Sequence, residues 1–208
     1  MESRPMTRRE LGLLLSLLLL ALVWSFIEPF DRLTWLLEVA PVLMALPFLI
    51  VTHRSHPLSG LAYRLIFLHA LILIIGGHYT YVRVPVGLWL QEVFELSRNH
   101  YDRLGHLAQG FVPAIIAREV LLRATPLRPG RWLRFLIVCV CLAISVVYEL
   151  VEWLAAVISA EAAASFLGTQ GDNWDTQWDM FLALCGALLA LALARQHDRS
   201  MRAAGVYG

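Results

Sequence analysis

The sequence predicts an all-α fold: a polytopic membrane helix bundle of about six transmembrane helices, with an extra interfacial helix between the third and fourth. Three observations predict it. The chain of 208 residues is 59% hydrophobic and 16% charged, with mean hydropathy +0.65, far less charge than a soluble domain carries. Several windows approach the roughly 20 apolar residues that a helix needs to cross a hydrocarbon core of about 30 Å. The 17 basic residues are all arginine, and they fall on alternate loops.

Taken in order, the expected spans are Leu11 to Ile27, Trp35 to Val51, Leu61 to Gly76, Leu104 to Leu122, Leu133 to Val157 and Gln177 to Ala194. The first follows Arg8 and Arg9 as a signal sequence would. No small-x-small cleavage site follows it, so it reads as a retained helix. The second carries Pro41 and Pro47. The fourth is interrupted by Gln109, Gly110 and Pro113, which membrane helices tolerate when neighbours satisfy the backbone. Between the third and fourth, Val84 to Leu96 is too short to span and too apolar to float free. Its Leu88, Trp89 and Phe94 fit a helix lying in the interface, as a lid or as filling. Nothing marks a second domain, so residues 1–208 read as a single integral-membrane domain.

Positive residues stay on the cytoplasmic side, and an even number of spans with both termini cytoplasmic sorts the arginines best. Thirteen then lie inside, and four, Arg32, Arg83, Arg98 and Arg103, lie outside. This orientation predicts a bacterial cytoplasmic (inner) membrane protein, multi-pass. Twelve of the 16 acids fall in the outer half. Loop acids such as Glu92, Glu95 and Glu161 need only solvent; those inside helices need another explanation.

Composition excludes other classes. A net charge of +1 offers no basic face for nucleic acid, and no Gly-rich phosphate loop occurs. Cys139, Cys141 and Cys185 lie in apolar segments without zinc or redox spacing, and read as small packing residues.

The candidate site lies at the outer ends of four spans. Asp172, Asp175 and Asp179 lead into the sixth, with Asp175 and Asp179 one turn apart on one face. Helix N-termini favour acids, which accounts for one or two of them. Asp179 lies a turn deeper, ahead of fifteen uncharged residues, where ionisable groups are costly and usually functional. His78 closes the third span. His100, Asp102 and His106 open the fourth, and the i, i+4 pair Asp102 and His106 suits ion binding or a carboxylate that orients an imidazole. Glu149 and Glu152 share a face of the fifth.

His78, Asp102, His106, Asp172, Asp175 and Asp179 are therefore the candidate metal ligands, with Glu149 and Glu152 as candidate catalytic proton carriers. Histidine with carboxylates suits Zn, Mn or Fe, and an all-oxygen subset Mg or Ca. A proton relay or a set of interhelical hydrogen bonds needs the same groups and no divalent metal ion.

Four stretches carry a resemblance: Gly-Gly-His78-Tyr, Arg98-Asn-His-Tyr-Asp-Arg-Leu-Gly-His106, Tyr148-Glu-Leu-Val-Glu152-Trp and Gly171-Asp-Asn-Trp-Asp-Thr-Gln-Trp-Asp179-Met. Together they resemble the YjdF-like family of bacterial inner-membrane proteins across nearly the whole chain, which implies a location but no activity. A more distant similarity, over roughly the C-terminal half, is to VanZ-like membrane proteins, associated with resistance to teicoplanin. Asp102-Arg-Leu-Gly-His106 fits their Asp-basic-x-x-His pattern, Glu149-Leu-Val-Glu152 their Glu-x-x-Gln, and Asp172-Asn-Trp-Asp175 their Asp-x-x-Asp. Glu152 and Asp179 stand where that family has amides, so the resemblance implies a site two charges more acidic, favouring a divalent cation or bound protons.

The reading that results is a metal-dependent site at the extracytoplasmic face, acting on membrane lipids or lipid-linked envelope components. Its alternatives are a non-catalytic envelope lipid- or partner-binding protein and a proton-coupled transporter. No oligomeric state follows from the sequence.

Overall fold

The structure is a computed structural model that describes residues 6–158, 166 and 168–206; Arg4, one of the thirteen inner arginines, and the loop acid Glu161 lie outside them. All regular structure among the described residues is helical. The α-helices are α1 (Arg8–Phe26), α2 (Arg32–Thr52), α3 (Gly60–Tyr79), α4 (Pro85–Val93), α5 (Tyr101–Ala124), α6 (Arg131–Ile158), α7 (Asp175–Ala192) and α8 (Ala194–Ala203), with a 3₁₀ turn at Tyr81–Arg83 before α4.

Local sequence sets the starts. Thr7, Asp31 and Ser59 each accept a hydrogen bond from the backbone N–H three residues on, which satisfies one of the free donors that every helix N-terminus leaves. Pro85 occupies the first turn of α4, where its missing N–H costs nothing.

Six long helices occupy the six expected segments, most of them extended beyond the expected ends. Four of them, α1, α2, α3 and α6, are long and apolar enough to cross a membrane alone. The α7 and α8 pair meets that measure together, across a bend of 62°. The charged residues of α5 keep it below the measure, and its place in the bundle explains how it is tolerated. It packs against α3, α6 and α7, and Asp102, His106, Arg118 and Glu119 are all buried along it.

Backbone proximity makes this centre. A Cβ added at Gly110 of α5 would overlap the carbonyl oxygen of Ala183, and one at Gly186 of α7 would overlap that of Leu107. Small residues let membrane helices approach this closely. Around the pair, Ala114, Ile115, Leu133, Ile137, Cys141 and Ala187 form one core. A second core joins α1, α2 and α3 through Leu18, Trp35, Val39, Val42, Ala70 and Ile74, where the Trp35 indole donates to Ser25 Oγ at 3.0 Å. Cys141 packs as expected, whereas Cys139 is exposed; all three cysteines are free.

At the end of the bundle away from the candidate site, α8 bends aside from α7 and is pinned. Glu119 receives His197 Nε2 at 3.0 Å, Arg123 at 3.0 Å and the Ser59 N–H at 2.8 Å. Arg118 reaches Asp198 at 2.6 Å. Both Glu119 and His197 are fully buried, and a buried charge set with every partner in place fixes a unique arrangement of elements.

The short helix α4 takes the place expected of an interfacial helix. Trp89, Val93 and Phe94 are exposed on it or at its end. Asn99 holds its approach by donating to the carbonyls of Val82 and Val84, at 3.2 Å each.

Candidate functional site

Two loops bring the site together. Gln170 and Asn99 exchange hydrogen bonds, side chain to backbone, at 2.9 Å in both directions, which zips the segment ahead of α7 to the segment ahead of α5. Gly168, Gln170 and Gly171 take positive φ values of 59°, 48° and 85°, so this approach turns sharply. Glycine supplies two of the three positions at little steric cost.

Arg98 lies at the junction, 5% exposed. It pairs closely with Asp175, lies 3.6 Å from Asp172 and 3.8 Å from Asp102, and donates to the carbonyls of Gly168 and Thr169. Asp172 sits further out: it accepts from Arg103 at 2.9 Å and from the Trp174 N–H at 2.9 Å. Beside Arg103, the pKa of His100 is lowered by burial and then by the charges of Arg103 and Arg98, so it offers Arg103 an acceptor at 3.3 Å rather than a second positive charge.

One layer deeper is His106. Its Nε2 is 3.4 Å from Asp102 and 4.0 Å from Asp179, and its Nδ1 is 3.6 Å from Glu149 and 3.2 Å from Gln109 Oε1. Asp102, His106 and Asp179 each offer one ligand atom, all within 4.8 Å of one another. Around an ion with bonds of roughly 2.1 Å, ligand atoms are separated by about 3.0 to 4.2 Å, the range of both separations from His106. Asp179 Oδ1 and Glu149 Oε1 are buried and make no hydrogen bond among the described residues. An orphaned buried carboxylate oxygen is costly; a cation on the Nε2 side of His106 would relieve that of Asp179, whereas Glu149 Oε1 faces Nδ1.

Against this group lies a small cavity of about 20 Å³, lined by Glu38, Tyr81, Asp102, His106, Gln109, Tyr148 and Glu152, among others. That is room for roughly one water-sized guest. Tyr148 donates to Glu38 at 2.8 Å, tying α6 to α2. Tyr148→Phe leaves that buried acceptor unmatched and is expected to lower stability by about 1–3 kcal/mol. Thermal unfolding in detergent measures it, with an unchanged melting curve as the contrary result.

Of the residues expected from sequence, Asp102, His106, Asp179, Glu149 and Glu152 come together, and Asp175 joins them through Arg98. Asp172 belongs to the outer arginine layer. His78 does not reach the cluster: its Nδ1 lies 3.1 Å from the Ser25 carbonyl and its ring stacks 4.3 Å from that of Trp24. It therefore fastens α3 to α1. Sequence reasoning missed Arg98, Tyr148, Gln109 and the part played by Glu38. The i, i+4 spacing of Arg98 and Asp102 was the one local signal for Arg98, and a lone acid inside a span was the signal for Glu38.

The class defined by this fold is a helical integral membrane protein with six buried carboxyls, Glu38, Asp102, Glu149, Glu152, Asp175 and Asp179, gathered around one histidine and one arginine. The chain belongs to the family described as "Predicted membrane protein (DUF2238)", which matches residues 11–199. It is 53% identical over 190 residues to the inner membrane protein YjdF of Escherichia coli (strain K12), covering 91% of each chain. No solved structure matches it.

Proposed function

We propose that this inner-membrane protein holds a divalent metal ion between Asp102, His106 and Asp179 at its extracytoplasmic face, with both termini in the cytoplasm, and acts there on a lipid or lipid-linked envelope component. The observation that carries the reading is the orphaned Asp179 Oδ1 within a His and Asp cluster of ligand spacing. One nitrogen and two carboxylate donors suit Zn or Mn better than an all-oxygen ion. Bound there, the metal would polarise a phosphoryl or acyl oxygen and acidify a water. Glu149, 3.6 Å from His106, and Glu152, across the small cavity, are placed to hold and pass a proton. Gln109 Oε1 accepts from the His106 Nδ1–H in the tautomer that leaves Nε2 free for the metal, and so orients the ring. The arginine bias supports the orientation.

A second reading, a non-catalytic envelope lipid- or partner-binding protein whose polar cluster holds helices together, is favoured by one feature. Arg98 and the Tyr148–Glu38 bond are committed to interhelical contacts.

Metal content of detergent-purified protein separates the two. Wild type, prepared without chelator, is expected to carry near-stoichiometric Zn or Mn. His106→Gln with Asp179→Asn should lose it while melting as a folded protein. Wild type that stays metal-free, even after titration with Zn and Mn, would sink the metal reading and leave the second.

A further inference from the structure

The end of the molecule away from the carboxylates carries a different feature. Between α1, α2 and α3 runs an apolar groove of about 220 Å³, lined by leucines of α1, by Leu46, Leu49 and Ile50 of α2 and by Ile66 and Phe67 of α3. At mid-depth it meets a second apolar cavity of about 260 Å³ that shares Leu18, Leu46, Leu49 and Ile66 with it and continues to Leu73. Phe48 and Ile50, at 67% and 55% exposure, leave its α2 wall open sideways.

The other end of the groove is polar. His53 Nδ1 and Tyr63 Oη are 2.8 Å apart there, and both also line a vestibule of about 210 Å³ with Thr7 and the exposed Arg8. Arg9 and Arg54 are the chain neighbours of these residues and are exposed as well. Glu10, the nearest acid in sequence, is paired with Arg64 at 2.7 Å. A negative headgroup would meet net positive charge here.

We propose that this groove binds an anionic phospholipid from the leaflet at the Arg8 end, with its phosphate beside Arg8, His53 and Tyr63 and one acyl chain between α1, α2 and α3. Length supports the occupant. From Tyr63 to Leu73 the helix rises about 15 Å, half of a hydrocarbon core of about 30 Å, which is the depth that one leaflet's chain covers. Charge supports the headgroup, since basic residues at a membrane surface attract anionic lipid. The headgroup end lies away from the carboxylate cluster, and only Leu73 lines both the deeper apolar cavity and the small polar one.

Native mass spectrometry tests it on the full chain, delipidated and then offered phosphatidylglycerol or phosphatidylcholine in mixed micelles. Wild type should retain one phosphatidylglycerol, preferred about fivefold, the worth of one basic residue at an anionic surface. Arg8→Gln should erase the preference without changing the melting temperature. Leu49→Trp, which fills the groove, should cut retention of either lipid roughly tenfold; Leu20→Trp, on the outward face of α1, should not. Failure of the wild type to retain lipid, or equal retention by wild type and Leu49→Trp, overturns the site. His69 lines the deeper cavity with its Nε2 buried and without a hydrogen bond among the described residues. An acyl chain makes no use of it, so His69→Leu should bind at least as well. A loss on His69→Leu matching that of Leu49→Trp would replace the acyl chain with a ligand that hydrogen-bonds in mid-membrane.

Discussion

Gly110→Val is expected to be among the most damaging single changes in the protein. The two helices that carry Asp102, His106 and Asp179 touch backbone to backbone there, and the first added carbon would overlap the Ala183 carbonyl oxygen. A side chain can rotate away from an intruder, but a helical carbonyl cannot. Overpacking costs about 1–3 kcal/mol and more where nothing yields. With roughly 2–4 °C lost per kcal/mol in a chain of this size, a fall of about 10 °C is expected. The damage should extend to the site, because α5 and α7 would have to separate and move His106 off Asp179, now 4.0 Å away. Bound metal, where present, should fall with stability. Gly12→Val is the control: an added Cβ there meets nothing within 4 Å. Equal melting temperatures for wild type, Gly12→Val and Gly110→Val would show that the close approach of α5 and α7 carries no weight.

The same helix pair marks the boundary between what sequence could and could not give. Apolar length and the alternation of arginines located six helical segments, because both are properties of single stretches of chain. The i, i+4 spacing of Asp102 and His106 put them on one face for the same reason. His78 was misplaced because its depth in the membrane was judged and its direction was not; at the end of α3 it turns toward Trp24 and Ser25 rather than toward α5. Arg98 was sorted with the outer-loop arginines, and its burial depends on the turn at 168–171, a tertiary event. Gly110 reads as an interruption in sequence, whereas in the bundle it and Gly186 are the contact itself. The network of Glu119, His197 and Arg118 was likewise invisible, since it joins residues nearly eighty positions apart.

Arg98→Ala is expected to cost about 3–5 kcal/mol, because it removes the positive partner from buried carboxylates and leaves them uncompensated. Asp175 is 4% exposed and Asp102 8% exposed; both face this guanidinium, and Asp172 stands behind them at 3.6 Å. Two further donations, to the carbonyls of Gly168 and Thr169, would be lost with it and free the turn that feeds α7. Arg98→Lys should recover little of the loss, since one ammonium cannot reach two carbonyls and the carboxylates in the geometry of a planar fork. A double-mutant cycle separates repulsion from loss of contact. With Asp175→Ala added, part of the penalty should return as a coupling of about 0.5–3 kcal/mol, because one of the stranded charges is gone. Asp102 keeps His106 at 3.4 Å but loses its contact with Arg98, and the two carbonyl donations stay lost, so recovery is incomplete. Thermal unfolding of the four proteins in one detergent reads this directly. If the two single penalties simply add, Arg98 holds the loop through its carbonyl contacts alone, and the carboxylates at this end are balanced by something other than Arg98.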